Sequence, residues 1–190
     1  MNNDVWEVHA DQQDRHDSPW SLRTRIAIFF WELCWALFCA WTPKPLNSWR
    51  LFWLRAFGAR IGKGVFIHQR ARILRPWNVV LHNNVGIGDR TALYSLGIIE
   101  IGSGSTVAQE AYICAGTHDF SKKEYPLMTA KITVGEEVFI GARAFVMPGL
   151  RIGDGAIVGA CSVVTRDIPA RSVCAGSPAR KIKDRAQYGQ

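Results

Sequence analysis

The residue best suited to acid–base chemistry is His118, which begins a polar stretch reading HDFSKKEYPLMTAK from 118 to 131. A neutral imidazole can take up a proton near neutral pH, and loops that leave a rigid scaffold often carry function. The second ring nitrogen needs an acceptor that orients it, and Asp89, Glu110 and Asp119 are the candidates, although each can also be a solvated surface residue. Cys114 could be a thiol nucleophile, but it has no legible base partner, so packing is the preferred interpretation.

The sequence on either side of this stretch must hold these side chains. There an aliphatic residue returns every six residues, with two extra residues before Leu81 and again before Ile101. A helix cannot produce a period of six, and a half-buried strand would alternate with a period of two. Six residues form one short strand with its corner, and three such strands close a triangular coil whose aliphatic residues stack inside. The repeat therefore predicts a parallel β-helix. Its register is Ile61, Ile67, Ile73, Leu81, Ile87, Leu93, Ile101, Val107, Ile113, Val134, Ile140, Val146, Ile152, Val158 and Val164.

Three longer motifs carry a resemblance to a known family: YICAGTHDF at 112–120, ITVGEEVFIGARAFVMPGLRIGDGAIVGACSVVTRDIP at 132–169, and AGSPARKI at 175–182. They resemble the hexapeptide-repeat acyltransferases, most closely those of the colanic-acid or exopolysaccharide O-acetyltransferase type, over about residues 61 to 182. Handedness does not follow from spacing, since parallel crossovers are normally right-handed; the resemblance implies the left-handed exception. The expected fold class is all-β, a left-handed parallel β-helix preceded by an apolar helical segment.

The resemblance also implies an activity. Family members pass an acetyl group directly from acetyl-CoA to a hydroxyl, with a histidine at the root of such a loop as general base, which corresponds to His118. The implied acceptor is a saccharide or lipid-linked saccharide of surface-polysaccharide biosynthesis, with Tyr94 and Asp119 as its expected contacts. The implied assembly is a homotrimer, and no metal is expected. The chain departs from the sugar acetyltransferases at Gly88, where those enzymes carry an asparagine that contacts the acceptor.

The residues that the resemblance places at CoA are of two kinds. Some are small, so that pantetheine can approach the backbone, and the others can bind adenine and phosphates. These residues are Gly141, Ala142, Gly159, Ala160, Thr165, Arg166, Arg180 and Lys181. Coil geometry alone would equally explain the glycines, and the cations could equally be solvated. His68 and His82 each follow a repeat aliphatic, and we interpret them as structural or exposed.

The chain divides into four segments. Residues 1–20 are polar and show no usable period, so we expect a flexible N-terminus. We expect an apolar helical segment at 21–58, the β-helix with a loop at 118–131 over 59–176, and a C-terminal tail at 177–190. The apolar run from Ile26 to Trp41 is shorter than the roughly 20 residues that a bilayer span needs. Aromatic residues with flanking cations in 21–58 fit membrane-surface contact, packing on protein is the alternative, and a true span is the third.

Charge and cysteine usage narrow the classes further. A net charge of +7 fits phosphate-bearing ligands or anionic lipid, and the chain carries no nucleic-acid fingerprint. Five cysteines without a C-x-x-C pair fit a reducing compartment, so we expect a cytoplasmic protein, with peripheral contact at the inner face of the membrane left open.

Two alternatives to acyl transfer remain at this point. A γ-class carbonic anhydrase needs three imidazoles, and this chain has Lys122 and Lys123 where the third is expected after His82 and His118. The other is a non-catalytic binding or scaffold protein, because a fold does not guarantee activity.

Overall fold

A computed structural model of the chain describes residues 6–9 and 18–186. The helices are α1 at Leu22–Phe38 and α2 at Asn47–Ala56, with short 3-10 helices at Lys44–Leu46 and Pro76–Asn78. The strands in chain order are β1 (Trp6–Val8), β2 (Arg60–Ile61), β3 (Phe66–Ile67), β4 (Arg72–Ile73), β5 (Val79–Leu81), β6 (Gly86–Ile87), β7 (Ala92–Tyr94), β8 (Ile99–Ile101), β9 (Thr106–Val107), β10 (Tyr112–Cys114), β11 (Gly116–His118), β12 (Leu127–Ala130), β13 (Ile132–Val134), β14 (Phe139–Ile140), β15 (Phe145–Val146), β16 (Arg151–Ile152), β17 (Ile157–Val158), β18 (Val163–Val164), β19 (Ser172–Ala175) and β20 (Arg180–Asp184).

Most of these strands form three parallel sheets, which are the three faces of a β-helix. The first face contains β2, β5, β8, β13 and β16; the second contains β3, β6, β9, β14, β17 and β19; the third contains β4, β7, β10, β15 and β18. Consecutive strands of the chain lie on different faces, so each coil uses three strands. The predicted fold class, an all-β parallel β-helix with an apolar helical segment before it, is confirmed.

The sixfold register places its aliphatic side chains in three interior columns. On the first face, Ile61 lies beside Leu81, then Ile101, Val134 and Ile152 follow in the same column. The other two faces repeat this arrangement, and the register residues are buried except in the first coil, where Ile61 is half-buried. Burying each such side chain stabilises the fold by about 1.5–3 kcal/mol. The core is therefore the stack that the repeat predicts.

The corners between the second and third faces have a left-handed backbone at one residue per coil. Arg90, Glu110, Arg143 and Cys161 occupy this position with φ between 52° and 60°. The amide of Glu110 donates to the carbonyl of Asp89 in the coil before, at 2.8 Å. Non-glycine residues adopt such φ values only where the surroundings enforce them, as this ladder does.

The helical segment closes the open end of the second face. A sheet edge presents unpaired amides and carbonyls, which must find partners. Asn47 of α2 accepts from the Ile67 amide at 3.0 Å and donates to the Val65 carbonyl at 2.8 Å. Arg50, which is fully buried, donates through Nε to the Ile67 carbonyl at 3.0 Å. Two side chains of α2 thus take the place of a preceding strand.

The open ends of the other two faces are closed in the same way. Arg55 donates through Nη2 to the carbonyls of Ile61 and Gly62 at 3.1 and 3.2 Å. Trp31 of α1 donates through Nε1 to the carbonyl of Ile73 at 2.6 Å. Packing on the β-helix therefore accounts for the inner side of residues 21–58. Within residues 6–9 and 18–186, no helix combines the length and apolar character needed to cross a bilayer.

Both ends of the chain differ from the sequence prediction where they are described. Within the segment expected to be flexible, Trp6–Val8 form β1, which pairs antiparallel with β12. Within the expected tail, Arg180–Asp184 form β20, antiparallel to β19. Both strands use free sheet edges, and short segments with no period of their own do not reveal such pairing. Residues 1–5, 10–17 and 187–190, which also belong to these predictions, lie outside the described residues.

Candidate active site

His118 is the last residue in the first strand of a β-hairpin that leaves the β-helix in its third coil. The chain departs after β10, forms β11 and β12 with His118 opposite Leu127, and re-enters the coil at β13. The amide of Ala130 donates to the carbonyl of Ala115 at 3.2 Å and closes the root of the hairpin. β1 then adds a third strand beside β12. The loop predicted at 118–131 is therefore largely a hairpin, with an irregular tip at 119–126.

The imidazole of His118 is exposed, and its Nδ1–H donates to the carbonyl of Tyr125 at 2.7 Å. A carbonyl can only accept, so this bond keeps the proton on Nδ1 and leaves the lone pair of a neutral ring on Nε2. Tyr125 has a left-handed backbone with φ of 48°. Strained backbone of this kind is concentrated at functional sites, and here it occurs at the residue that orients the imidazole.

Asp89, one of the acids predicted to orient His118, has other partners. Its Oδ1 lies 2.7 Å from Nε of Arg70 and 3.0 Å from Nδ1 of His68. Desolvation acts to raise the pKa of Asp89, but the hydrogen bond from Arg70 and the neighbouring positive charges outweigh it and lower the pKa. Asp89 is therefore an ionised corner residue bound to the coil before it.

Glu110 and Asp119 are also occupied elsewhere. Glu110 Oε2 accepts from Nε of Arg143 at 2.6 Å, and that hydrogen bond lowers the pKa of Glu110. Asp119 Oδ1 accepts from the hydroxyl and the amide of Ser121 at 2.6 and 2.9 Å, which lowers the pKa of Asp119. The prediction that a carboxylate orients His118 is wrong for this hairpin, because the backbone carbonyl of Tyr125 holds Nδ1.

The remaining thiol and imidazole candidates have structural partners. The Cys114 thiol donates to the Gly116 carbonyl at 3.1 Å, and burial raises the pKa of Cys114, which keeps the thiol protonated. On the outside of the first face, His82 Nε2 lies 2.9 Å from Glu100, which also accepts from Lys131. In the part of the chain that the structure describes, no three His, Cys, Asp or Glu side chains cluster closely enough to hold a metal ion.

The two predicted acceptor contacts differ in position. Asp119 directly follows His118 in the hairpin tip. The backbone of Tyr94 reaches the hairpin root, where its carbonyl accepts from the Ala115 amide at 3.1 Å. Its ring, however, lines a cleft of about 420 Å³ between α1 and the third face, beside Trp31 and Tyr112. Burial raises the pKa of Tyr94. The lining of that cleft does not include His118, so the structure does not bring the Tyr94 ring and the imidazole into one pocket.

The predicted CoA glycines lie at successive corners between the second and third faces. The Gly141 amide donates to the Val158 carbonyl of the next coil at 2.8 Å. A Cβ on Gly141 would lie 2.5 Å from the amide nitrogen of Ala160, and a Cβ on Gly159 would lie 2.8 Å from the Cβ of Ala175. Coil stacking alone therefore requires glycine at both positions. Of the two alanines that follow, Ala142 is half-buried and Ala160 is exposed.

The predicted polar residues for CoA border the same end of the β-helix. Arg180 lies opposite Ala175 in the β19–β20 pair, beside the corner that holds Gly159. Thr165 and Arg166 are exposed at the next corner, beyond β18. Lys181 is 2.6 Å from Asp184 in an exposed ion pair. The structure thus brings Arg180 to the column of small residues and leaves Thr165 and Arg166 on the far side of a two-residue strand.

Sequence reasoning missed two features of this site. One is the Tyr125 carbonyl, for which the Tyr-Pro dipeptide at 125–126 is only a general turn signal. The other is β1: His9, directly after this strand, donates its amide to the carbonyl of Leu127, the residue opposite His118. Nothing in three residues of irregular sequence indicates that strand.

Comparison with known proteins agrees with this geometry. A family model described as bacterial transferase hexapeptide (six repeats) matches residues 131–166. The putative colanic acid biosynthesis acetyltransferase WcaF of Escherichia coli (strain K12) is 40% identical over 162 residues, which cover 85% of this chain and 89% of that protein.

Solved structures share the fold. A maltose O-acetyltransferase from Clostridium difficile 630 superposes with a TM-score of 0.80 at 25% identity, covering 88% of this chain and 90% of its own. A galactoside acetyltransferase in complex with coenzyme A superposes with a TM-score of 0.80 at 21% identity, covering 91% and 90%, and shows the fold alone. This chain belongs to the hexapeptide-repeat acetyltransferase family. The predicted family and enzyme class are confirmed.

Proposed function

We propose that this chain transfers the acetyl group of acetyl-CoA to a hydroxyl of a saccharide or lipid-linked saccharide in surface-polysaccharide biosynthesis, with His118 as general base. The observation that carries the proposal is the 2.7 Å bond from His118 Nδ1–H to the Tyr125 carbonyl, because it makes Nε2 the acceptor atom of the neutral ring. The names of two relatives, which refer to colanic acid and maltose, support a saccharide acceptor.

The proton transfers follow from that bond. Acetyl-CoA supplies a thioester, whose thiolate is a good leaving group. His118 Nε2 takes the hydroxyl proton while the hydroxyl oxygen forms its bond to the acetyl carbon. The imidazolium then returns the proton to the departing sulfur as the carbon–sulfur bond breaks, which restores the neutral ring. Throughout, the Tyr125 carbonyl keeps Nδ1–H in place and stabilises the transient positive charge, as the orienting member of a catalytic triad does.

The residues at the far end of the β-helix fit CoA. Gly141, Ala142, Gly159 and Ala160 leave the backbone of one corner column without bulky side chains. Arg180 and Lys181 in β20 and Thr165 and Arg166 beyond β18 provide exposed cations and a hydroxyl for phosphates and adenine. We propose these eight residues as the CoA-binding set.

The proposed working form is a homotrimer at the inner face of the membrane. Apolar side chains on the outside of the coils support burial between subunits: Phe139 on the second face is exposed, and Phe145 stacks on Tyr112 on the third face with ring centroids 5.3 Å apart. Free thiols at Cys34, Cys39, Cys114, Cys161 and Cys174 support a reducing compartment, the cytoplasm.

The test combines turnover with product identification. Purified protein is incubated with acetyl-CoA and cell-surface polysaccharide precursors, thiol release gives the rate, and mass spectrometry locates the added acetyl group. His118→Ala should lose about a hundredfold or more in turnover. The matched control His82→Ala, in an imidazole paired with Glu100 on the first face, should keep wild-type turnover. Near-normal turnover of His118→Ala would overturn the proposed base. Absence of thermal stabilisation by CoA would favour a non-catalytic scaffold.

A further inference from the structure

The outer side of the helical segment is apolar although it faces solvent. Along α1, large apolar side chains recur at helical spacing on the side opposite the buried Trp31 and Cys34. They are Leu22, Ile26, Phe29, Phe30, Leu33 and Leu37, with exposed fractions between 42% and 68%. A helix that packs on a protein normally presents polar residues on this side. This stripe is therefore a surface that needs a partner.

The stripe continues onto the next segment without interruption. Phe38 at the end of α1 stacks on Trp53 of α2 with centroids 5.4 Å apart, and Trp53 contacts Trp49 and Phe52. Trp41, Leu46, Trp49 and Phe52 are all exposed by more than 40%. Trp41 and Trp49 donate their indole N–H groups to the carbonyls of Leu37 and Phe38. We call this surface, the α1 stripe with Phe38, Trp41, Leu46, Trp49 and Phe52, the apolar platform.

Charges around the platform have one dominant sign. Segment 21–58 carries five cations, Arg23, Arg25, Lys44, Arg50 and Arg55, and one acid, Glu32. Arg50 is buried and the other four cations are exposed. Segments that lie at the surface of an anionic bilayer typically have tryptophan and phenylalanine beside exposed cations. Pairing of this surface with itself would instead bring the same cations together.

We infer that the apolar platform docks on the surface of an anionic lipid bilayer. The inference rests on the proposed function in one respect: it explains how a lipid-linked saccharide would reach His118. The helices close the first coil, and the hairpin of His118 leaves the third, two coil spacings or about 10 Å further along the axis. A saccharide attached to a lipid headgroup extends over such a distance from the bilayer surface.

The test is flotation of the full chain with two kinds of vesicle, phosphatidylcholine alone and phosphatidylcholine with phosphatidylglycerol in equal parts. The wild type should float with the anionic vesicles, and high salt should weaken the association. The double variant Phe29→Asp, Leu33→Asp should stay in solution, while Ile182→Asp, which alters an apolar side chain 65% exposed at the other end of the β-helix, should float like wild type. Arg23→Gln with Arg25→Gln should weaken partitioning by about thirtyfold, because two cations lose their attraction to the lipid.

Three results would overturn the inference. The first is a wild type that does not float with anionic vesicles, and the second is a double variant that floats as well as wild type. The third combines two results: light scattering finds fewer subunits in the Phe29→Asp, Leu33→Asp variant than in the wild type, and the wild type does not bind vesicles. The platform would then be an interface between copies of the chain. Circular dichroism and thermal melting verify that each variant is folded. Thiol release from acetyl-CoA with a soluble saccharide separates the two proposals, because failed docking leaves it intact whereas failure of the proposed function abolishes it.

Discussion

His118→Asn separates the two roles of the imidazole. In this variant the side-chain amide N–H can replace Nδ1–H as donor to the Tyr125 carbonyl, which lies 2.7 Å from Nδ1 in the wild type. The atom that is deleted is the equivalent of Nε2, the proposed base. His118→Ala removes both the donor and the base. The pair of variants therefore distinguishes ordering of the hairpin from proton transfer.

The two contributions differ in size. The bond from His118 to Tyr125 is exposed, so its loss should lower the free energy of unfolding by about 1 kcal/mol, the net value of an ordinary hydrogen bond. General base catalysis contributes about a hundredfold to ten-thousandfold in rate, or about 2.7–5.4 kcal/mol of transition-state stabilisation. Loss of the base therefore exceeds loss of the bond by a clear margin.

Thiol release from acetyl-CoA measures turnover, and urea denaturation measures stability. We expect His118→Asn to keep wild-type stability and to lose about as much turnover as His118→Ala, at least about a hundredfold. The reasoning is refuted if His118→Asn retains turnover within about tenfold of wild type, because a side chain without Nε2 would then suffice. It is also refuted if the turnover of each variant follows its stability.

Three further predictions concern the fold and the CoA set. Hydrogen bonds from Lys131 and His82 lower the pKa of Glu100 to about 2, so its ionised form stabilises the fold above its ordinary pKa of 4.5. Glu100→Gln should cost about 1 kcal/mol in urea denaturation at neutral pH, and the gap should close as the pH falls from 4.5 towards 2; a constant gap would contradict the ion pair. Gly141→Ala should lower the free energy of unfolding by about 1–3 kcal/mol, because the new Cβ would lie 2.5 Å from the amide nitrogen of Ala160. Ala160→Trp should instead keep the wild-type melting temperature and raise the KM for acetyl-CoA about tenfold. An unchanged KM would remove Ala160 from the CoA-binding set. Arg50→Met should cost about 3 kcal/mol in urea denaturation, because the carbonyls of Ile67 and Pro43 lose a buried charged donor, and a neutral effect would show that these bonds are dispensable.

The fold was predictable because a period of six leaves few structures open. Residues such as Ile87 and Val107, which the register alone selects, stack directly on one another in the second face. Each aliphatic residue of the repeat independently indicates the same position in a coil, so a local exception such as the hairpin does not obscure the pattern. The position of His118 followed from the same regularity, because it begins the stretch in which the repeat is absent.

The partners of His118 were not predictable for a physical reason. Side-chain type indicates which acids could accept from Nδ1, but the acceptor is the Tyr125 carbonyl, and every residue has a carbonyl. Only the left-handed backbone at Tyr125 gives that carbonyl its direction. Asp89 and Glu110 illustrate the converse, because arginines at the same corner of a neighbouring coil take up both carboxylates.

The helical segment has a polarity that hydropathy could not reveal. Its inner side provides Asn47, Arg50 and Arg55 to the amides and carbonyls of the first coil, and its outer side is apolar. The inner side also buries Trp31, Leu51 and Leu54 in the core, because the open end of a β-helix presents both unpaired backbone groups and an apolar interior. Because the inner side already closes the first coil, the apolar residues on the outside are not required for packing in the described chain. Apolar side chains beside exposed Arg23 and Arg25 are what a lipid surface would demand, and Phe29→Asp with Leu33→Asp therefore tests the lipid contact without disturbing the capping bonds.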